Sequence, residues 1–345
     1  MTDYNEWSVD LGSKFETDIA SNFYQKFQFV NFNGWVRNLL GQQEMNGIIK
    51  LNNGWLTTVC NYTADETLHE CADSVIALKN YLEEQGIAFL YAIPPYTISK
   101  YDPQLPEGIY DYGNDNLDRL AEMLKEGDVD LIDFREVLHK ENIDQYGMIY
   151  RTDHHWTSRA GFYAYTKINE RLQKMLECQV DPEVKDFSNY TVTNYKNWHL
   201  GSRGQRTGAY YAGIDDFELI VPDFDTSLVR GNEKGTYESL IINMSALEAR
   251  DQTSRYTYDT VLGNANRNYI NSNAYNDKKL LILTDSFGKA VNPFLILSYR
   301  EVQYIMNSLT WEYLESYKPD AVVMFYYVNN AVSPGYYNFT LPNEK

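Results

Sequence analysis

Two of the chain's five histidines stand side by side in YRTDHHW, residues 150 to 156, and far downstream a serine follows an apolar run in LLILTDSFG, residues 280 to 288. Asp153 and His155 are two positions apart, so in an extended segment both face the same side. The carboxylate then accepts a bond from one imidazole nitrogen and fixes the tautomer, leaving the other nitrogen to take a proton from a hydroxyl. On this reading His154, between them, points the other way and has a structural task. Ser286 sits where a strand turns into a helix, with Gly288 allowing tight backbone passage. A serine held there stands clear of the sheet near the free amides of the helix N-terminus, which suits a nucleophile. A serine is also a favoured helix cap, so its position alone does not decide between the two roles. Both pieces fall at C-terminal strand ends, the edge where open parallel sheets carry their sites.

Nucleophile, base and orienting acid together describe acyl transfer through a covalent intermediate, with Ser286, His155 and Asp153 in those roles. Trp156 is expected to pack against the turn and to wall the acyl pocket. HLGSRGQRTG, residues 199 to 208, offers Gly204 to bring a loop toward the site and Arg203 or Arg206 to meet developing negative charge. A polar β-turn explains the same residues equally well. The Ser286 amide is the other oxyanion donor.

The elements that must position these residues follow from hydrophobic period and punctuation. Residues 14 to 40 have apolar positions three and four apart and close at Gly41, a helix; NGIIKLNNGWLTTV reads as a hairpin around Asn52, Asn53 and Gly54. From residue 64 the chain alternates. ETLHECADSVIALKNYLEEQG is an amphipathic helix ended by Gly86, IAFLYAIPP a buried strand, NDNLDRLAEMLKEG a helix, VDLIDF a strand and REVLHKEN a short helix. TSRAGFYAYTKINERLQKML is a long helix capped by Thr157 or Ser158. About residues 180 to 275 the alternation lapses into a Tyr-, Asn- and Gly-rich stretch with strand-like runs such as FELIVP and ESLIIN, a β-rich insertion. KKLLILTDSFGKAVNPFLILS and PDAVVMFYYV then give two strongly apolar strands flanking a helix. The expected fold is α/β, a parallel sheet covered by helices. Residues 1–60 form an N-terminal helical and hairpin extension, and 61–345 the catalytic domain with its insertion.

Composition narrows the partners. A formal charge of -18 lacks the clustered cations that nucleic acid or an anionic lipid surface requires. Thirty tyrosines suit stacking on sugar rings, although most must simply fill core and strand positions. Cys60, Cys71 and Cys178 have no metal-ligand spacing, so no structural zinc site and no cofactor is expected, while a Cys60–Cys71 disulfide stays open. The N-terminus has no basic segment followed by an apolar run, and no stretch is apolar for the roughly 18 residues of a membrane span.

TDHHWT ahead of a helix, followed much later by TDSFG at a strand end, resembles the DHHW proteins of bacteria and, more distantly, the alginate O-acetyltransferases with an SGNH-hydrolase-like fold. The likeness extends from about residue 15 to about 330, through NGIIKLNNGWL, YAIPPYTISKY and YKPDAVVMFYY. It implies an Asp-x-His-Trp element preceding the serine, so that Asp153 and His155 are acid and base and Ser286 the nucleophile. Thr284 stands where simpler SGNH enzymes carry glycine, and no match to their separate oxyanion glycine and asparagine blocks is evident. The resemblance further implies acetyl transfer to an extracellular or cell-wall polysaccharide at the cell surface, with a membrane-bound O-acyltransferase supplying the acetyl group.

Other readings compete. A carbohydrate acetylesterase uses the same intermediate, and a glycan-binding module retains the fold without the chemistry. A manganese phosphoesterase of the DHH type needs further aspartates on neighbouring strand ends, and no matching DxD element is seen before the motif. A glycosidase needs a carboxylate pair in which Asp285 would be one member.

Overall fold

The computed structural model describes residues 26–249, 257–262, 267–306, 309–340 and 342. Its centre is an eight-stranded sheet whose strands, in chain order, are β1 (Ala88–Ile93), β2 (Leu131–Asp133), β3 (Leu228–Arg230), β4 (Glu233–Gly235), β5 (Arg267–Asn271), β6 (Lys279–Thr284), β7 (Glu301–Ile305) and β8 (Ala321–Phe325). Across the sheet they run β2-β1-β8-β6-β7-β5-β3-β4. The first five are mutually parallel; the other three join antiparallel. β6 and β8, reading KLLILT and AVVMF, are apolar on both faces because helices cover both. Their register, Ile282 opposite Val323 and Thr284 opposite Phe325, brings their C-terminal ends level. β8, the last of this sheet's strands in chain order, thus lies between β1 and β6, and the turns after these three strands gather at one edge.

The principal helices are α1 (Lys26–Leu39), α2 (Asp65–Glu84), α3 (Gly113–Glu126), α4 (Ser158–Met175) and α5 (Gly288–Ser298). α2 buries Leu68, Cys71, Ala72, Val75, Leu78 and Leu82, the i, i+3, i+4 stripe of a helix on a sheet. α4 begins where Thr157 Oγ1 accepts the Ala160 amide at 3.2 Å. A Cβ at Gly161 would collide with the Ala290 carbonyl oxygen, so glycine there lets α4 cross close to α5, the helix that follows Ser286. α5 is buried along its whole length, which anchors the serine turn in the core.

The parallel α/β sheet and its covering helices are as the sequence predicts, with two differences. ESLIIN does not form a strand: Tyr237–Ile241 is helical. The Ser239 hydroxyl accepts the Thr236 amide at 2.9 Å, a capping bond, and Tyr237, Leu240 and Ile241 bury one face. β7 goes unread in the sequence because Glu301 and Gln303 interrupt its apolar pattern; Gln303 is nonetheless buried. The strands of the β-rich insertion divide between two sheets. Tyr190–His199 and Asp215–Pro222 pair with each other, whereas β3, β4 and β5 lengthen the central sheet.

The N-terminal hairpin forms, with Lys50 opposite Leu56 and Gly54 at φ 92° in the turn. α1 closes before Gly41 at φ 67°, and residues 14 to 25 of the expected helix lie outside the described residues. This extension packs onto the insertion: Met45, Ile48 and Leu56 share a small core with Tyr211, and Asn31 Oδ1 accepts the Ala209 amide at 2.7 Å. Cys60, Cys71 and Cys178 are free thiols.

Candidate active site

β6 ends at Thr284 and the chain turns at once into α5. Asp285 Oδ1 accepts the Phe287 amide at 2.9 Å, closing the turn that leads into α5. Its Oδ2 accepts the Tyr327 amide at 2.7 Å and Asn330 Nδ2 at 2.8 Å, tying the turn after β6 to the turn after β8. Burial pushes the Asp285 carboxyl above its ordinary value, although these bonds pull the other way. No side chain caps α5, so the Ser286 hydroxyl is not engaged as a helix cap.

It points at His155. Nε2 of that imidazole stands 2.7 Å from Ser286 Oγ, and Nδ1 stands 3.3 Å from Asp153 Oδ2. The ring also lies on Tyr258, with centroids 4.0 Å apart and planes 17° apart. Burial lowers the His155 pKa below its ordinary value even though Asp153 draws it upward, so the imidazole is neutral at neutral pH. Burial would raise Asp153, but the adjacent His155 and His154 imidazoles hold it well below the usual carboxylate range.

The loop carrying these residues does not end a strand, contrary to the expectation. Ile149 and Trp156 form an antiparallel bridge that pinches residues 150 to 155 into a loop. The insertion holds it: Asp215 Oδ2 accepts the Thr152 amide at 2.8 Å and hydroxyl at 2.6 Å, and Thr152 O accepts the Arg203 and Gly204 amides at 3.1 and 2.9 Å. A Cβ at Gly201 would run into Asp153 Cβ, so only glycine permits this approach.

Asp153 is fully buried and receives more than one imidazole. Oδ1 accepts the His154 amide at 2.7 Å and the Ser202 hydroxyl at 3.0 Å, and His154 Nδ1 lies 2.9 Å from it. Oδ2 accepts His199 Nε2 at 3.0 Å as well as His155. His154 therefore does not turn away from its neighbour: its ring centroid is 3.8 Å from that of His155, and it lines the same cavity as Ser286. In a tight loop the two-residue alternation of a strand does not apply. His199 was not singled out by the sequence reading. The available signal was a further histidine, rare in this chain, at the head of the HLGSRG segment.

The other expected site residues are sorted by their bonds. Arg203 is buried and lines the cavity that holds Ser286, while its Nη1 donates to Leu56 O and Thr97 Oγ1 at 2.8 Å and to Asp153 O at 3.1 Å, and its Nη2 to Tyr327 Oη at 3.1 Å. Arg206 lines the cavity while donating to Asn46 O at 2.6 Å. Gly204 lies inside the short helix Ser202–Thr207, where a Cβ would meet Leu200 Cδ1 at 2.5 Å, a packing role. Trp156 is buried and donates from Nε1 to Phe287 O at 2.9 Å, so it braces the serine turn from behind and is not among the residues lining the cavity. That cavity, about 330 Å3, is otherwise bordered by Thr58, Ser202, Asp285, Phe287, Tyr327, Asn329 and Asn330. Asp153, His154 and His155 also present ligand atoms within 4.8 Å of one another, a set a divalent ion would accept. Among the described residues no further carboxylate joins that set.

Residues 132–306, half of the chain, match the family model described as DHHW protein. The chain belongs to the DHHW family. This DHHW protein also matches, over residues 49–196, the model of the SGNH hydrolase-like domain of acetyltransferase AlgX. Among solved structures it is similar to Bacillus cereus PatB1, with TM-score 0.68 and 22% identity, covering 84% of this chain and 98% of that one. A DHHW family protein from Eubacterium siraeum superposes with TM-score 0.62 at 18% identity, covering 87% and 98%. The O-acetyltransferase domain of Pseudomonas putida AlgJ does so with TM-score 0.54 at 12% identity, covering 83% and 92%. At these identities the likeness is one of fold, SGNH-like. No curated protein matches the sequence. No described helix is long and apolar enough to cross a membrane.

Proposed function

We propose that this DHHW protein is an O-acetyltransferase acting on hydroxyls of an extracellular or cell-wall polysaccharide. The observation that carries the reading is the 2.7 Å contact between His155 Nε2 and Ser286 Oγ, with the Asp153 carboxylate behind the ring. His155 takes the Ser286 proton as Oγ attacks the acetyl carbonyl, and Asp153 stabilises the imidazolium that forms. The proton passes to the departing donor oxygen, leaving acetyl-Ser286 and neutral His155. An acceptor hydroxyl then attacks the ester, giving its proton to His155, which returns it to Oγ. The negative carbonyl oxygen of each tetrahedral intermediate needs donors, for which the Ser286 amide and the Asn329 carboxamide on the cavity wall are suited. Arg203 is already committed to four acceptors and is not assigned this task.

A polar border of Thr58, Ser202, Arg206, Asn329 and Asn330 suits a sugar acceptor. The acetyl group would arrive from a membrane-bound O-acyltransferase. Incubation with p-nitrophenyl acetate and oligosaccharides tests the reading, with acetylated sugar identified by mass. Acetate release with no acetylated sugar would make the protein an esterase of the same mechanism. An inert Ser286 would leave a glycan-binding module.

A further inference from the structure

His154 has no task in the mechanism above, yet it is held as firmly as His155. Its Nδ1 lies 2.9 Å from Asp153 Oδ1 and 3.0 Å from Ser202 Oγ, while Ser202 itself donates to Asp153 Oδ1 at 3.0 Å. Ser202 spends its one proton on the carboxylate and so accepts from Nδ1, which therefore carries the ring proton, and in the neutral ring Nε2 keeps a lone pair. Asp153 is fully buried whereas the His154 side chain is 30% exposed on the cavity wall, so the ring edge opposite the carboxylate is the one that meets the cavity. His155 is oriented in the same way by the other carboxylate oxygen. One buried aspartate thus fixes two neighbouring imidazoles, ring centroids 3.8 Å apart, each with its Nε2 turned away from the carboxylate.

We infer that His154 is a specificity residue for the acceptor: its Nε2 accepts a hydrogen bond from the hydroxyl next to the one acetylated, so the protein selects vicinal diols over isolated alcohols. The inference rests on the acyl-transfer reading. His155 engages the reacting hydroxyl, and His154, one ring away, engages its neighbour on the adjacent carbon. An isolated alcohol leaves the His154 lone pair without its donor, and a site built around a hydroxyl discriminates against analogues that lack it.

The test compares acetyl transfer from p-nitrophenyl acetate to cis-cyclohexane-1,2-diol and to cyclohexanol, counted per hydroxyl. In the wild type the diol is favoured about tenfold, the worth of one hydrogen bond. In His154→Ala, and in His154→Phe should the alanine variant not fold, the ratio falls to about one whatever the absolute rate. A wild-type ratio near one, or a ratio unchanged in a folded variant, overturns the inference, as does transfer to neither alcohol while p-nitrophenol is released. In those outcomes the Ser286 chemistry still stands. A wild type that releases no p-nitrophenol overturns both.

Discussion

His199 Nε2 lies 3.0 Å from Asp153 Oδ2, nearer than the 3.3 Å of His155 Nδ1 to the same oxygen. The carboxylate that orients the base is itself positioned by a histidine at the end of the strand Tyr190–His199, so the insertion completes the site. Replacing His199 by Phe removes a donor to a buried carboxylate, worth about 1.5–3 kcal/mol. The expected result is a fall in kcat of about ten- to a hundredfold with KM little changed, measured on an acetyl ester. A change in KM alone would assign His199 to packing.

The pH dependence follows from burial of His155. Its folded pKa is depressed, so the neutral, proton-accepting form persists below the ordinary histidine value. The rate is expected to stay level from pH 8 through 6.5, with any acid limb lying below that. The stability effect has the same sign: the unfolded chain binds the proton near pH 6.5 and the folded chain only at lower pH. Stability from this group is complete above about pH 6.5 and erodes as pH falls toward the folded pKa. Thermal midpoints recorded from pH 8 to 5 should therefore fall more steeply for the wild type than for His155→Asn.

Arg203→Met should report on folding. Four acceptors lose their donor in a buried site, at about 1–3 kcal/mol each when left unsatisfied, so a loss of about 3 kcal/mol or more is expected in chemical denaturation. A stable variant with only its kcat reduced would restore Arg203 as an oxyanion donor.

Gly201→Ala tests the close approach of the insertion to the DHHW loop. The added methyl meets Asp153 Cβ and lies 2.6 Å from Thr152 O, so the loop must shift. Overpacking of this kind costs about 1–3 kcal/mol. Loss of both thermal stability and acyl-ester turnover is expected, with turnover affected more, because the displaced residue is the one that orients His155.

The parallel sheet was legible because β6, β8 and β1 are apolar throughout and bounded by clear helix signals. The serine turn was legible because it ends such a strand. What could not be read is what depends on contacts between distant segments. The two-residue alternation placed His154 on the wrong side because residues 150 to 155 are pinched by the Ile149–Trp156 bridge, which no local pattern reveals. Arg203 reaches the cavity wall, as its glycine-rich setting suggested, but its acceptors come from Leu56, Thr97, Asp153 and Tyr327, four separate parts of the chain that no local pattern joins. β7 was hidden by Gln303, a polar residue buried in a strand.

The central claim is that Ser286 is a nucleophile activated by His155. Intact-mass analysis after treatment with a serine-directed sulfonyl fluoride tests it most directly. One adduct per chain is expected, mapped by peptide sequencing to Ser286, absent in Ser286→Ala and strongly slowed in His155→Ala. A wild type that takes no adduct at Ser286, or a Ser286→Ala variant that keeps full acetyl-ester turnover, would contradict it.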